Sequence, residues 1–228
     1  MRIVRRKSWG AVPPRCETPL PASEAWGVVV HYTAMAPDEQ DDHRNCASRV
    51  RGIQRYHMSP SPSDATKPWC DVAYSHLFCR HGYVFEGRGF GWRTAAQGTN
   101  EGNSHYFAVC FLGNDQRKRD DVSERGRQAL SDLIYEYRRR YPGANEVKPH
   151  SALHPTACPG DELRDFIAHE GWLRYERAWP VPIPRWFWAW ARWRLGGREG
   201  PRPRAAPPRI PDWAWRRLEA LVARRKRR

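Results

Sequence analysis

Nowhere in this chain do eighteen uncharged apolar residues follow one another, and the opening "MRIVRRKSWGAVPP" carries charge without an apolar run of signal-peptide length. The first lack leaves no segment fit to span a bilayer as a helix; the second predicts a protein made and held in the cytoplasm, with no signal peptide. Cysteine is sparse as well. Cys16, Cys46, Cys70, Cys79, Cys110 and Cys158 are scattered over 228 residues, and a chain of that size can build a core without covalent staples. Mostly reduced thiols are expected, with a pairing of Cys46, or of Cys70 with Cys79, as the lesser alternative. Acidic residues nearly vanish from the last fifth: residues 180–228 hold 14 Lys/Arg against 3 Asp/Glu, whereas residues 1–179 hold 25 against 22. The formal net charge of +14 therefore belongs to one end of the chain and does not make the whole a nucleic-acid binder.

What is present reads as one α/β core with an appendage. "AWGVVVHYTA" (25–34) is a β-branched run that predicts a buried strand delivering His31 at its C-terminal end. "CASRVRGIQRYHMS" puts Val50, Ile53 and His57 on one helical face, and "DVAYSHLFCRHGYVFEGRG" predicts a hairpin turning at Arg80-His81-Gly82. "YFAVCFLGND" predicts a second buried strand. A helix should open at Ser123 and stop at Pro142-Gly143, and another should begin at Asp161-Glu162, where negative charge suits the helix dipole. Strands and helices interleaved with hairpins predict a mixed central sheet flanked by helices. After Pro180 the composition changes: Ile183-Pro-Arg-Trp-Phe-Trp echoes Ile210-Pro-Asp-Trp-Ala-Trp across a Pro/Arg/Gly linker, which predicts a short helical Trp/Arg-rich appendage.

The densest chemistry lies in "HSALHPTACPGD", His150 to Asp161. Three readings are open. Zinc in enzymes takes three protein ligands from His, Cys and carboxylates and keeps a fourth position for water; His31 with a His and Cys158 could supply them. Cys158 with His150 or His154 could instead be a thiolate–imidazole nucleophile pair. The segment could also be an ordinary loop, since a histidine at a strand end is commonly a packed, hydrogen-bonded residue.

Six segments in order, "VVVHYTA", "IQRYH", "WCDVAYSHLF", "GYVFEGRG", "FAVCFLGND" and His150 with "PTACPGD", resemble the signature segments of type 2 N-acetylmuramoyl-L-alanine amidases and the related peptidoglycan recognition proteins. "SWGA" resembles the family's opening segment, so the match spans about residues 5–175. Through "EGRGFGWRTAAQGTNEGNS" the chain is most similar to the amidase modules of endolysins from bacteriophages of actinobacteria. The resemblance implies a zinc site of His31, His150 and Cys158, with zinc-bound water attacking the amide between the lactyl group of muramic acid and L-alanine. Cys158 is then a ligand. Tyr74 matches the family tyrosine of the "WxDxxY" segment, a hydrogen-bond donor for a developing oxyanion, and Thr156 takes the second polar catalytic position, where relatives carry Lys or Thr. As a short donor Thr156 can stabilise an oxyanion but is a poor acid or base, so the proton-transfer group stays open.

Departures from the family pattern bear on the site. The chain reads Pro149-His150-Ser151 where relatives usually read Gly-His-Arg, so an arginine that steadies the ligand is missing. His154 competes with His150 for the metal, but the spacing of His150 to Cys158 matches the family. Asp71, Glu86 and Arg88 should fix the hairpin and groove rim; His57, His76 and His81 should be structural. Trp69, Arg88, Thr94, Gln97 and Asn103 are the candidate substrate contacts, although Trp69 reads first as a buried tryptophan. The expected organisation is a zinc amidase domain over 1–179 and a basic segment over 180–228 that targets the cell envelope. The expected function is hydrolysis of peptidoglycan as a phage endolysin, by a monomer kept in the host cytoplasm until lysis. Its partners would be peptidoglycan and, through the tail, an anionic wall polymer or membrane surface, with no specific nucleic acid. Two competing readings are a non-catalytic peptidoglycan-binding protein, which retention of Cys158 argues against, and a nucleic-acid binder through the tail.

Overall fold

Six strands among the described residues form one mixed sheet. They are β1 (Arg2–Val4), β2 (Gly27–Tyr32), β3 (His76–Phe78), β4 (Tyr83–Glu86), β5 (Tyr106–Phe111) and β6 (Glu146–Pro149), in the spatial order β1-β4-β3-β5-β2-β6. The computed structural model describes residues 2–36, 42–114 and 122–174. The chain divides into two units, Met1–Glu176 and Arg177–Arg228, and all described residues belong to the first; the appendage expected over 180–228 lies outside them. Only the β3–β4 hairpin is antiparallel, turning where the sequence predicted, while β1–β4, β3–β5, β5–β2 and β2–β6 are parallel. No helix among the described residues is long and apolar enough to cross a membrane.

The period-2 alternation of the strands sorts side chains into two cores. Val28 and Val30 of β2, Phe107, Val109 and Phe111 of β5, Phe78 and Val84 share one cluster, covered by α4 (Glu124–Arg140) and α5 (Asp161–Ala168) through Leu130, Leu133, Ile134, Tyr137, Leu163 and Ile167. Leu77, Phe85, Cys110 and Leu112 face the other way, against Trp9 of α1 (Arg6–Trp9) and Cys46, Val50 and Ile53 of α2 (His43–Met58). His31, two residues beyond Val29, therefore emerges on the α2 side.

The helix signals act as expected. Ser123 caps α4 by accepting from the Gly126 amide, with Glu124 in the first turn and Arg138, Arg139 and Arg140 in the last, matching the dipole at both ends. Asp42 caps α2 through the Arg44 amide, and Asp161 and Glu162 occupy the first turn of α5. The short α3 (Asn100–His105), capped by Thr99, had no clear sequence signal.

Polar side chains anchor the N-terminal segment. Asp71 takes both Arg6 guanidinium nitrogens at 2.7 and 3.2 Å, the Gln54 amide at 2.6 Å and the Val72 N–H at 2.8 Å. Glu86 accepts from Arg5 and from the Arg6 amide, and Trp9 donates its indole N–H to the Glu86 carbonyl. Arg88 spends its guanidinium on the Val72 and Arg93 carbonyls. These three residues brace the hairpin as expected. One cysteine expectation is corrected: Cys70 bonds to Cys16, not to Cys79, while Cys46, Cys79, Cys110 and Cys158 form no disulfide. The reason is a loop contact that spacing cannot show, in which Arg15 donates its amide to the Cys70 carbonyl and brings the two thiols together.

His57 and His76 are buried structural histidines. The Ala73 amide donates to His57 Nδ1 at 3.1 Å, and His76 Nδ1 shares a 2.6 Å hydrogen bond with the Tyr137 hydroxyl. Burial is the main cause that brings His57 down to about 4 and His76 down to about 3. Unfolded imidazoles titrate near ~6.5, so both groups contribute fully above that pH. Their contribution is lost as pH falls toward 4 and 3, because the unfolded chain then binds protons the native state refuses. Chelator-treated protein should lose stability in this window, and His76→Asn should make the slope shallower by up to about 1.4 kcal/mol per pH unit. Urea unfolding from pH 7 to 3 measures it; identical slopes would refute the assignment.

Candidate metal centre

The register of β2 against β6 builds the site. Val30 pairs with Pro149 as the last rung, so His31 and His150 emerge side by side at the C-terminal ends of adjacent parallel strands, their ring centroids 4.4 Å apart. That end of an open α/β sheet is where ligands characteristically bind. His150 starts a short 3-10 turn, and the loop closes on itself through a Ser151 N–H to Cys158 carbonyl bond of 3.0 Å. This closure returns Cys158 to His31, with Sγ 3.8 Å from Nδ1. The ligand atoms of His31, His150 and Cys158 all lie within 4.8 Å of one another.

The surroundings prepare this trio for a cation. His31 Nε2 sits 3.0 Å from the Gln97 side-chain oxygen; since that oxygen only accepts, His31 carries its proton on Nε2 and turns the Nδ1 lone pair toward Cys158. His150 bonds the Gln97 backbone, and its Nε2 is buried without a hydrogen-bond partner. Burial, reinforced by His150, pushes His31 well below the usual imidazole range, and burial lowers His150 as well; both are neutral, the form that ligates. Burial pushes the Cys158 thiol up to about 12, with the Tyr32 amide donating to Sγ at 3.4 Å as a smaller opposing influence. Without a cation Cys158 is a neutral thiol, which suits a ligand awaiting a metal better than a free thiolate nucleophile. The residues present fit a zinc ion held by two imidazoles and one thiolate.

The other sequence candidates fall into place around this centre. His154 is exposed and outside the trio, which favours His150. Thr156 is half-buried and accepts the Cys158 amide at 3.2 Å. Tyr74 stands over His31 with ring centroids 5.5 Å apart. Burial, then Cys110 and Cys158, raise its phenol well above the usual range, and it shares a hydrogen bond with the Cys110 thiol. Trp69 is half-buried against His57 and donates to Thr66, which corrects its reading as a buried tryptophan.

Two of the candidate substrate contacts need correcting. Gln97 and Thr94 are 0% and 5% exposed, too buried to meet a polymer. Asn103 Oδ1 accepts from the Gln97 amide at 2.9 Å and from the Thr94 hydroxyl, while Thr94 and the Gln97 side-chain NH2 both reach the Tyr106 carbonyl. Arg88, half-buried, gives Nε and Nη1 to two backbone carbonyls, and the network of Thr94, Gln97 and Asn103 steadies the His31 ring. The sequence signal for Gln97 was its place in a polar run, and only the contact with His31 tells its role. Gln97→Leu, of similar volume, should leave the protein folded but weaken zinc affinity roughly 10–100-fold, read by competition with a chromophoric chelator; unchanged affinity would make Gln97 mere packing.

Comparison with known proteins agrees with this geometry. The family described as N-acetylmuramoyl-L-alanine amidase matches residues 21–161. Peptidoglycan recognition protein 1 of Mus musculus is 31% identical over 175 residues, covering 76% of this chain and 88% of that protein. An N-acetylmuramoyl-L-alanine amidase of Sus scrofa is 31% identical over 182 residues, 77% of this chain but 27% of that longer protein. Drosophila PGRP-LB, solved in complex with tracheal cytotoxin, superposes with a TM-score of 0.63 at 21% identity, covering 73% of this chain and 93% of that one, which establishes the shared fold. The chain belongs to the N-acetylmuramoyl-L-alanine amidase family, whose fold it shares with the peptidoglycan recognition proteins.

Proposed function

We propose that the protein is a zinc-dependent amidase that cleaves peptidoglycan between N-acetylmuramic acid and L-alanine. One observation carries the reading: His31, His150 and Cys158 meet within 4.8 Å at the strand ends, a three-ligand set that leaves the fourth position open. Peptidoglycan as substrate is supported by relatives named for recognising or cleaving it. It is also supported by a similar structure that holds what its description calls monomeric diaminopimelic acid-type peptidoglycan. Zinc held there supplies Lewis-acid chemistry, activating water and polarising the scissile carbonyl. The chain's own groups do the rest. Burial keeps His31 and His150 neutral, and Gln97 aims both rings. Tyr74, its phenol held protonated, can donate to the carbonyl oxygen as negative charge develops. Thr156 Oγ1 is fixed by the Cys158 amide, and its proton remains available to a substrate oxygen. The water oxygen bonds to the lactyl carbonyl carbon, the C–N bond breaks, and L-alanine leaves as a free amine after taking up a proton.

The similarity of residues 86–104 to actinobacteriophage lysins supports a role in host lysis by an enzyme that waits in the host cytoplasm. For residues 180–228 the composition supports envelope targeting. Six of the chain's 12 tryptophans lie there beside most of the net positive charge, suited to anionic wall polymers or lipid head groups.

Two measurements test these readings. Actinobacterial peptidoglycan digested with the protein should release stem peptides beginning with L-alanine, seen by mass spectrometry. Chelation should stop release and zinc restore it. His31→Ala, His150→Ala and Cys158→Ser should each lose metal, His154→Ala should keep it, and Tyr74→Phe should keep metal and lose rate by roughly 10²–10³-fold. Binding of peptidoglycan without any released peptide would leave only the recognition reading standing. For the tail, replacing the basic residues of 224–228 by glutamine should weaken sedimentation with whole envelopes most strongly at low salt, where charge is least screened. Equal binding at every salt concentration would remove the targeting role.

A further inference from the structure

A second cluster of soft ligands lies away from the amidase trio, and the reaction does not use it. His43 and Cys46 stand three residues apart on the first turn of α2; Cys79 and His81 flank Arg80 at the tip of the β3–β4 hairpin. One ligand atom from each of the four lies within 4.8 Å of the others. Cys46 and Cys79 are 2% and 1% exposed and neither forms a disulfide. The distance from Cys46 Sγ to His81 Nδ1 is 3.5 Å, close to the ~3.5 Å edge that a tetrahedron with Zn–S of ~2.3 Å and Zn–N of ~2.0–2.1 Å requires. His43 stacks on Tyr83 at 3.4 Å between centroids, and its Nδ1 is buried with no hydrogen-bond partner.

We propose that His43, Cys46, Cys79 and His81 form a second, structural zinc site that clamps the start of α2 to the β3–β4 hairpin. Four protein ligands close the coordination sphere, so this site holds no water for catalysis. Charge also favours a divalent ion: two thiolates and two neutral imidazoles around Zn²⁺ sum to zero, so the centre avoids the cost of a net buried charge. Zinc fits this borderline-soft Cys2His2 set without imposing another geometry. The clamp acts at the edge of the face where Trp9, Val50, Leu77 and Phe85 pack, and adds metal bonds to the apolar contact between helix and hairpin.

The full-length protein, purified without chelators, should carry two zinc ions per chain by inductively coupled plasma mass spectrometry. The double variant His31→Ala/Cys158→Ser should keep one, and that ion should survive whether or not the amidase reading is right. Cys46→Ser/Cys79→Ser should also keep one, with cleavage per zinc-loaded chain within about twofold of the parent and a lower thermal midpoint. Should that variant fail to fold, cobalt loaded into His31→Ala/Cys158→Ser gives an independent reading. Tetrahedral visible bands with thiolate charge-transfer absorption are expected, together with protection of Cys46 and Cys79 from alkylation that a strong chelator removes. A single zinc in the parent with none in His31→Ala/Cys158→Ser, cobalt spectra without thiolate bands, or a Cys46–Cys79 disulfide in the peptide mass map would overturn the site.

Discussion

The parallel pairing of β2 with β6 is the constraint on which the site depends. Neither strand carries more than one metal-ligating candidate, and the two histidines are 119 positions apart in the chain; only the register that pairs Val30 with Pro149 makes them neighbours. Two local features set that register. At Gly27 any Cβ would collide with the Glu146 carbonyl oxygen, so the strands approach this closely only with glycine there. At the other end Pro149 has no N–H to extend the ladder, and the chain turns into the 3-10 segment that presents His150. Between these points the valines of β2 bury one face each way and prevent a one-residue slip, which would move His31 into the α4 core.

A second constraint is polar. Burying two imidazoles at one point costs free energy unless their remaining nitrogens are satisfied, and Gln97 meets both demands, with its side chain on His31 and its backbone on His150. Gln97 is in turn fixed by Asn103, Thr94 and the Tyr106 carbonyl, so the network runs from His31 and His150 to the start of β5. That path links the sheet and the candidate metal centre: the strand that pairs with β2 also carries the carbonyl that steadies the amide beside His31.

Much of this was legible in the sequence, and the failures share a cause. The strand delivering His31, the hairpin at Arg80-His81-Gly82 and the helix opened by Ser123 follow from patterning and capping, which act over a few residues. The meeting of His31, His150 and Cys158 followed from ordered resemblance, because nothing in the spacing of His31 and Cys158 says that they touch. Thr94 and Gln97 looked like groove contacts, since a polar run after a strand commonly lines a surface. Their burial depends on α3 folding the run back beneath His31. The Cys16–Cys70 bond and the meeting of His43 and Cys46 with Cys79 and His81 were hidden for the same reason: both join segments far apart in sequence, and His81 read alone is simply a turn histidine.

The arrangement also separates holding a cell-wall polymer from cutting it. The sheet and both cores are complete without Cys158, whose loop is closed by the backbone bond from Ser151 and steadied by Thr156. What Cys158 adds is a negative charge once a cation is present, since burial otherwise keeps it a neutral thiol. A family that includes proteins named for recognition and proteins named for hydrolysis can therefore differ by one side chain on this loop with little consequence for the fold. In this chain the thiol is present, the tautomer of His31 is set toward it, and His150 Nε2 lies buried with no hydrogen-bond partner. Of these features the buried, unbonded His150 Nε2 is the one that costs free energy as it stands, and a cation among the three would remove that cost.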